Sequence, residues 1–132
     1  MIGIDTNVLV RYLTQDDEKQ SIISTRLINT YENNAESLFI SNIVLCELIW
    51  VLERGYKYSK KEIVNVMRGI LSTIEFAFEY HEALLLSLSD YEKYSADFSD
   101  ILLGKINQLY GCEHTITFDT KASSLKEFKS LT

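Results

Sequence analysis

Leu38-Phe39-Ile40-Ser41-Asn42-Ile43-Val44-Leu45-Cys46-Glu47-Leu48-Ile49-Trp50-Val51-Leu52 is the stretch on which the fold turns. Leu38 to Ile40 has strand character. Ser41-Asn42 supplies two good helix caps, and the apolar run from Ile43 to Leu52 is too long for a second short strand. A strand handing over directly to a helix is a crossover, not a hairpin. The same pattern recurs on either side. Ile2-Gly3-Ile4 reads as a strand, then Asp5-Thr6-Asn7 opens helices at Val8 to Leu13 and Glu18 to Tyr31. Downstream, Ile63, Val66, Met67, Ile70 and Leu71 recur at helical spacing within Lys60 to Leu71. A strand over Glu75 to Glu79, helices at His81 to Tyr94 and Ile101 to Tyr110, and a strand at Thr115 to Phe118 complete the series. Gly55 and Gly111 are placed as helix stops. Strands separated by helices predict an α/β fold: a mainly parallel central sheet of four to five short strands, flanked by helices.

The 132 residues, 46% hydrophobic and 24% charged, predict one domain over 1–132 and exclude disorder. A membrane span is not expected, because Glu47 breaks the longest apolar stretch, itself about half the ~20 residues a bilayer requires. The opening Met1-Ile2-Gly3-Ile4-Asp5 has no basic region of a signal peptide. Two cysteines form no disulfide framework, and a reduced cytoplasmic setting is expected. Nineteen acids oppose thirteen bases, a net charge of −6, which disfavours binding nucleic acid by counterion release alone. An acidic chain can still act on phosphodiesters if its acids gather around a divalent cation.

In parallel α/β sheets, ligands bind where strands hand over to helices. Asp5 and Asp119 each follow a strand and precede Thr, so each also reads as a helix cap. Glu47 is the only charged residue between Ser41 and Leu52, in a helix that is apolar on nearly every side. Buried and unpaired it would be costly, so it is either in an ion pair or directed into a site. Asp97 and Asp100 flank Phe98-Ser99 at the start of a helix, where the dipole favours negative charge. Capping is the expected work of Asp97, and Asp100 projects over the strand ends. Acids gathered at one sheet edge raise one another's pKa unless a cation is present, and Mg²⁺ suits such hard oxygen ligands.

These segments resemble the PIN-domain family, and within it the VapC-type toxins of toxin–antitoxin pairs. The resemblance spans essentially the whole chain. It is carried by Ile2-Gly3-Ile4-Asp5-Thr6-Asn7-Val8-Leu9, Ile40-Ser41-Asn42 to Cys46-Glu47-Leu48, Asp97-Phe98-Ser99-Asp100 and Thr117-Phe118-Asp119. It implies a single PIN-like domain that hydrolyses RNA as a Mg²⁺- or Mn²⁺-dependent endoribonuclease, forms a homodimer and is inhibited by an antitoxin. By the same resemblance the catalytic quartet falls on Asp5, Glu47, Asp100 and Asp119. Asp5 and Asp100 match direct metal ligands; Glu47 and Asp119 match acids acting through water or a second metal. Thr6, Asn7 and Ser41 match positions that hold the first carboxylate and line the pocket. Asp97 is a competing acid, and Gly104-Lys105 stands where small apolar residues are common.

Two other functions fit parts of the pattern. A haloacid-dehalogenase-like phosphohydrolase has Asp-x-Asp after the first strand, but Asn7 stands at the third position here. A receiver-type signalling domain needs paired acids after the first strand, and Asp5 stands alone. A PIN fold kept only for binding is the non-catalytic counterpart. Cys46, Cys112 and His114 lack the paired spacing of a zinc site. His81 is expected at a helix start, and the aromatics, Trp50 included, mostly in the core, although Trp50 and Tyr56 also suit a helix-mediated interface. Lys121, Lys126 and Lys129 are expected on a solvated face, with contact to an RNA backbone as the other reading.

Overall fold

Each predicted handover from strand to helix is present in the computed structural model, which describes residues 1–132. The chain divides into two units, Met1–Glu79 and Tyr80–Thr132. The first contains β1 (Ile2–Gly3), α1 (Thr6–Thr14), α2 (Glu18–Thr30), β2 (Leu38–Ile40), α3 (Asn42–Arg54), α4 (Lys60–Leu71) and β3 (Phe76–Phe78). Its sheet has the order β1-β2-β3, and both pairings are parallel. Register sets Ile2 opposite Leu38, and Leu38 opposite Phe76. Beyond β1 the ladder continues, with Ile4 N–H donating to the Phe39 carbonyl at 2.9 Å. That bond brings the chain to Asp5 at the carboxyl end of the strand.

Packing explains why these elements form here. Leu38 and Ile40 of β2 are fully buried, and Leu9, Leu45, Leu48, Leu52, Ile63 and Met67 contribute the rest of the tightest core. Burial of such side chains stabilises by roughly 1.5–3 kcal/mol each. On α4 the buried stripe is Ile63, Val64, Met67, Ile70 and Leu71. Val64 therefore takes the place the spacing gave to Val66. Helix starts are fixed chemically: Ser41 Oγ accepts from Val44 N–H at 3.3 Å. Ser59 and Glu62 form a reciprocal capping box on α4. Asp16 in the α1–α2 turn accepts the Tyr56 hydroxyl at 2.6 Å, and this bond above all lowers the Asp16 pKa to about 2. Trp50 departs from the expected core placement. It is 58% exposed, with the Arg54 guanidinium 5.7 Å above its ring.

The second unit contains α5 (His81–Lys93), α6 (Phe98–Leu109), β4 (Thr115–Thr117), a 3₁₀ turn (Ala122–Ser124) and β5 (Phe128–Ser130). Tyr91 and Phe98 meet edge to face at 5.9 Å where the two helices join. β4 and β5 are parallel, with Thr115 opposite Phe128 and Thr117 opposite Ser130. Their link, residues 118–127, contains only the 3₁₀ turn, a connection shorter than parallel strands usually need. Gly104 permits the return. A Cβ there would lie 2.6 Å from Phe128 Cε2 and 3.0 Å from Glu127 Cβ. Mid-helix glycine costs about 1 kcal/mol relative to alanine, and here it makes room for the Phe128 ring and the Glu127 side chain against α6. The architecture is α/β with five strands and six α-helices, and every strand pairing is parallel. No helix is long and apolar enough to cross a membrane.

Candidate functional site

In the first unit the acids converge on one threonine. Asp5 is the N-cap of α1, and its Oδ1 accepts the Thr6 N–H at 2.8 Å. Thr6 is 5% exposed, and its hydroxyl donates to Glu47 Oε1 at 3.2 Å. One buried residue therefore orients two carboxylates, by its backbone and its side chain respectively. Thr6 was placed by resemblance beside the first carboxylate; its hydroxyl holds the second. Asn7 is exposed in the first turn of α1.

Glu47 itself is exposed, contrary to the reading of a helix apolar on nearly every side. The buried side of α3 is Val44, Leu45, Leu48, Ile49 and Leu52. Ile43 is 72% exposed, and with Trp50 it shares the solvent-facing side from which Glu47 projects. Glu47 therefore incurs no burial penalty of the kind its sequence neighbours suggested. Ser41 Oγ caps α3, a different task from holding the first carboxylate. Asn42, read in the sequence only as a cap, makes a further contact. Its N–H donates to Glu79 Oε2 at 2.6 Å, and its Oδ1 is buried without a partner.

The second unit arranges its acids differently. Asp100 lies in the first turn of α6 and is half-buried. Desolvation, reinforced by the negative charges of Asp119 and Asp97, raises its pKa above the ordinary aspartate value. Asp119 Oδ1 accepts Ala122 N–H at 2.8 Å, and its own N–H donates to Thr117 Oγ1 at 2.9 Å. Asp119 thus bonds into the turn ahead of the 3₁₀ segment Ala122–Ser124, whose N-cap position is held by Lys121 without a side-chain cap. Asp97 occupies the N-cap position of α6, but its side chain makes no capping hydrogen bond. The capping role assigned to it is incorrect; extended backbone at φ −67° and ψ 147° suffices to start the helix there.

A common feature emerges from these bonds. Asp5, Glu47 and Asp119 each have one carboxylate oxygen fixed by a protein donor at 2.8–3.2 Å, while the second oxygen receives none. Asp100 receives no such donor. The donors available to an ion are hard oxygens throughout, the set that suits Mg²⁺ or Mn²⁺. No group of three or more His, Cys, Asp or Glu side chains is placed to hold a metal ion. Both cysteines are free, and burial pushes the Cys46 thiol up to about 11. Lys121, Lys126 and Lys129 are exposed, as expected.

The sequence model of the PIN domain matches residues 2–127. The chain belongs to the PIN-domain family. A VapC ribonuclease of Aquifex aeolicus (strain VF5) is 27% identical to it over 122 residues, spanning 92% of this chain and 90% of that protein. The four segments that carried the resemblance lie within the PIN match. Among them are the strand-to-helix handovers at Asp5 and Ser41 and the first turn of α6.

Proposed function

We propose that this PIN-domain chain is a divalent-metal-dependent endoribonuclease, the toxin of a toxin–antitoxin pair, with Asp5, Glu47, Asp100 and Asp119 as its catalytic carboxylates. The reading treats residues 1–132 as one PIN-like domain that carries all four acids. Crowding at Asp100 is the observation that carries it. Burial disfavours the charged form of Asp100, the negative charges of Asp119 and Asp97 add to this, and no hydrogen-bond donor offsets it. A bound cation would relieve that repulsion, and all-oxygen donors select Mg²⁺ or Mn²⁺.

Asp5 and Asp100 would hold the ion directly, with Glu47 and Asp119 completing the site. The chemistry such an ion supplies is activation of water and stabilisation of negative charge developing on a phosphodiester. The protein's own contribution is positioning. Thr6 fixes one oxygen of Asp5 and one of Glu47, and the Ala122 N–H fixes one of Asp119, which leaves the opposite oxygens open. Pre-oriented ligands need less reorganisation as an ion or substrate arrives. A net charge of −6 repels RNA at long range, so a bound cation also favours approach of the phosphate backbone. Similarity to a protein named VapC ribonuclease supports RNA as substrate and a cognate antitoxin as partner. The homodimer and the cytoplasmic setting belong to the same reading.

The test is RNA cleavage by the purified chain, freed from its neighbouring gene product. Cleavage with Mg²⁺ or Mn²⁺ and its loss in EDTA are the expected results. Full activity in EDTA would rule out the metal mechanism.

A further inference from the structure

One helix of the first unit leaves a regular stripe bare. The exposed residues of α3 are Ile43, Glu47, Trp50 and Arg54, at intervals of four, three and four, and its other residues are buried or half-buried. Those intervals are the ones with which a helix presents a single seam to another helix. Two of the four are large apolar side chains left in water, and tryptophan and arginine are the residue types most enriched at the energetic centres of interfaces.

Charge decides what fits this stripe. Arg54 holds its guanidinium over the Trp50 ring and forms no ion pair within the chain. Stacking leaves the N–H edge of a guanidinium open to a carboxylate. Glu47 offers such a carboxylate: Thr6 occupies its Oε1, and Oε2 accepts no hydrogen bond. The two do not meet within one helix, because seven residues set them about 10.5 Å apart along its axis. Two copies of α3 satisfy both. Laid parallel and in register, they would oppose Glu47 to Glu47 and Arg54 to Arg54. Laid antiparallel about a two-fold axis midway between these residues, they oppose each Glu47 to the partner's Arg54, and Trp50 lies beside the axis next to its own copy.

We propose that α3 pairs antiparallel with α3 of a second copy of this chain, and that the partner's Arg54 holds the open oxygen of Glu47. A carboxylate oxygen has two acceptor positions, so this contact leaves one of them free on Oε2. Arg54 is then a positioning residue, fixing the second oxygen of Glu47 as Thr6 fixes the first. That role rests on the nuclease reading; the pairing of the helices does not.

The experiment is a charge exchange in the full chain, read by sedimentation. The wild type should sediment as a dimer at micromolar concentration. Arg54→Glu and Glu47→Arg each set like charges across the axis, and both should sediment as monomers. The double variant Glu47→Arg, Arg54→Glu restores opposite charges and should return to a dimer. Trp50, the only tryptophan, should emit further to the blue in the wild type than in Glu47→Arg. Cleavage of RNA tests the positioning: Arg54→Gln should lower it about tenfold, and Arg54→Lys should restore most of the loss. A monomeric wild type, a dimeric single reversal or a folded but monomeric double variant would overturn the pairing. So would a monomer whose Trp50 emission shifts only when the neighbouring gene product is added, which would give the stripe to that partner. A dimeric Arg54→Gln with full cleavage would remove Arg54 from the site. Absence of cleavage in every variant and in the wild type would end the nuclease reading and the role of Arg54 with it, while the charge exchange still decides the pairing.

Discussion

The two units hold their carboxylates by opposite means. In Met1–Glu79, Asp5 and Glu47 are each oriented by a neutral donor of the buried Thr6. In Tyr80–Thr132, Asp100 has no donor, and burial, together with the charges of Asp119 and Asp97, disfavours its ionised form. The first arrangement is ordered by hydrogen bonds and is complete without a ligand. The second is electrostatically unfavourable on its own and gains most from a cation. The comparison makes Thr6 a positioning residue and leaves Asp100 the acid least satisfied without a cation, so substitutions at Thr6 and at Asp100 should fail differently.

The largest effect is expected at Asp100. Asp100→Asn should lower RNA cleavage at least about a hundredfold, the loss of roughly 2.7 kcal/mol of transition-state stabilisation. Without metal, the same variant should melt at or above the wild-type temperature, because it removes a crowded charge. The sign follows from linkage. A folded-state pKa above the unfolded value makes a stability contribution that is present below the ordinary aspartate range and lost as pH rises through the raised value. In EDTA, the wild type should therefore lose stability relative to Asp100→Asn as pH climbs from the ordinary aspartate value through that range. Melting curves at a series of pH values check this, and a constant difference would contradict the raised pKa of Asp100.

A smaller effect is expected at Thr6. Thr6→Val keeps the shape and the backbone N–H to Asp5 but removes the donor to Glu47. Cleavage should fall about tenfold, as expected for the loss of one positioning contact rather than a ligand. Thr6→Ser should retain most activity, a rescue that a purely packing role would not produce. The smallest effect is expected at Asp97. Its side chain makes no capping bond, so Asp97→Ala should change stability by no more than about 0.5 kcal/mol, against roughly 1 kcal/mol for a bonded cap. A larger loss in denaturant unfolding would restore the capping role.

Much of the fold was legible in the sequence because strand runs and helical stripes alternate with distinct periods. All six helices lie where the sequence places them. β5 was not legible. Phe128–Ser130 is three residues long with an exposed Lys129 at its centre, and its pairing depends on Gly104, distant in sequence, leaving space for Phe128. The acids at strand ends could be read from their positions next to cap residues, but their surroundings could not. Ile43 and Trp50 look like core in a one-dimensional pattern, and only the fold shows that they share the exposed side of α3 with Glu47. Capping at Asp97 was equally undecidable, since a good cap residue in the cap position need not form the bond. The ion pairs of Lys105 with Asp90 and Glu127 left no local signal, because their members come from α5, α6 and the segment before β5.

The central claim is that Asp5 and Asp100 are both metal ligands. Isothermal titration of Mn²⁺ into the wild type, Asp5→Asn and Asp100→Asn tests it most directly. The account predicts that each variant, one from each unit, weakens Mn²⁺ binding at least tenfold while remaining folded. Undiminished binding in either folded variant would contradict it.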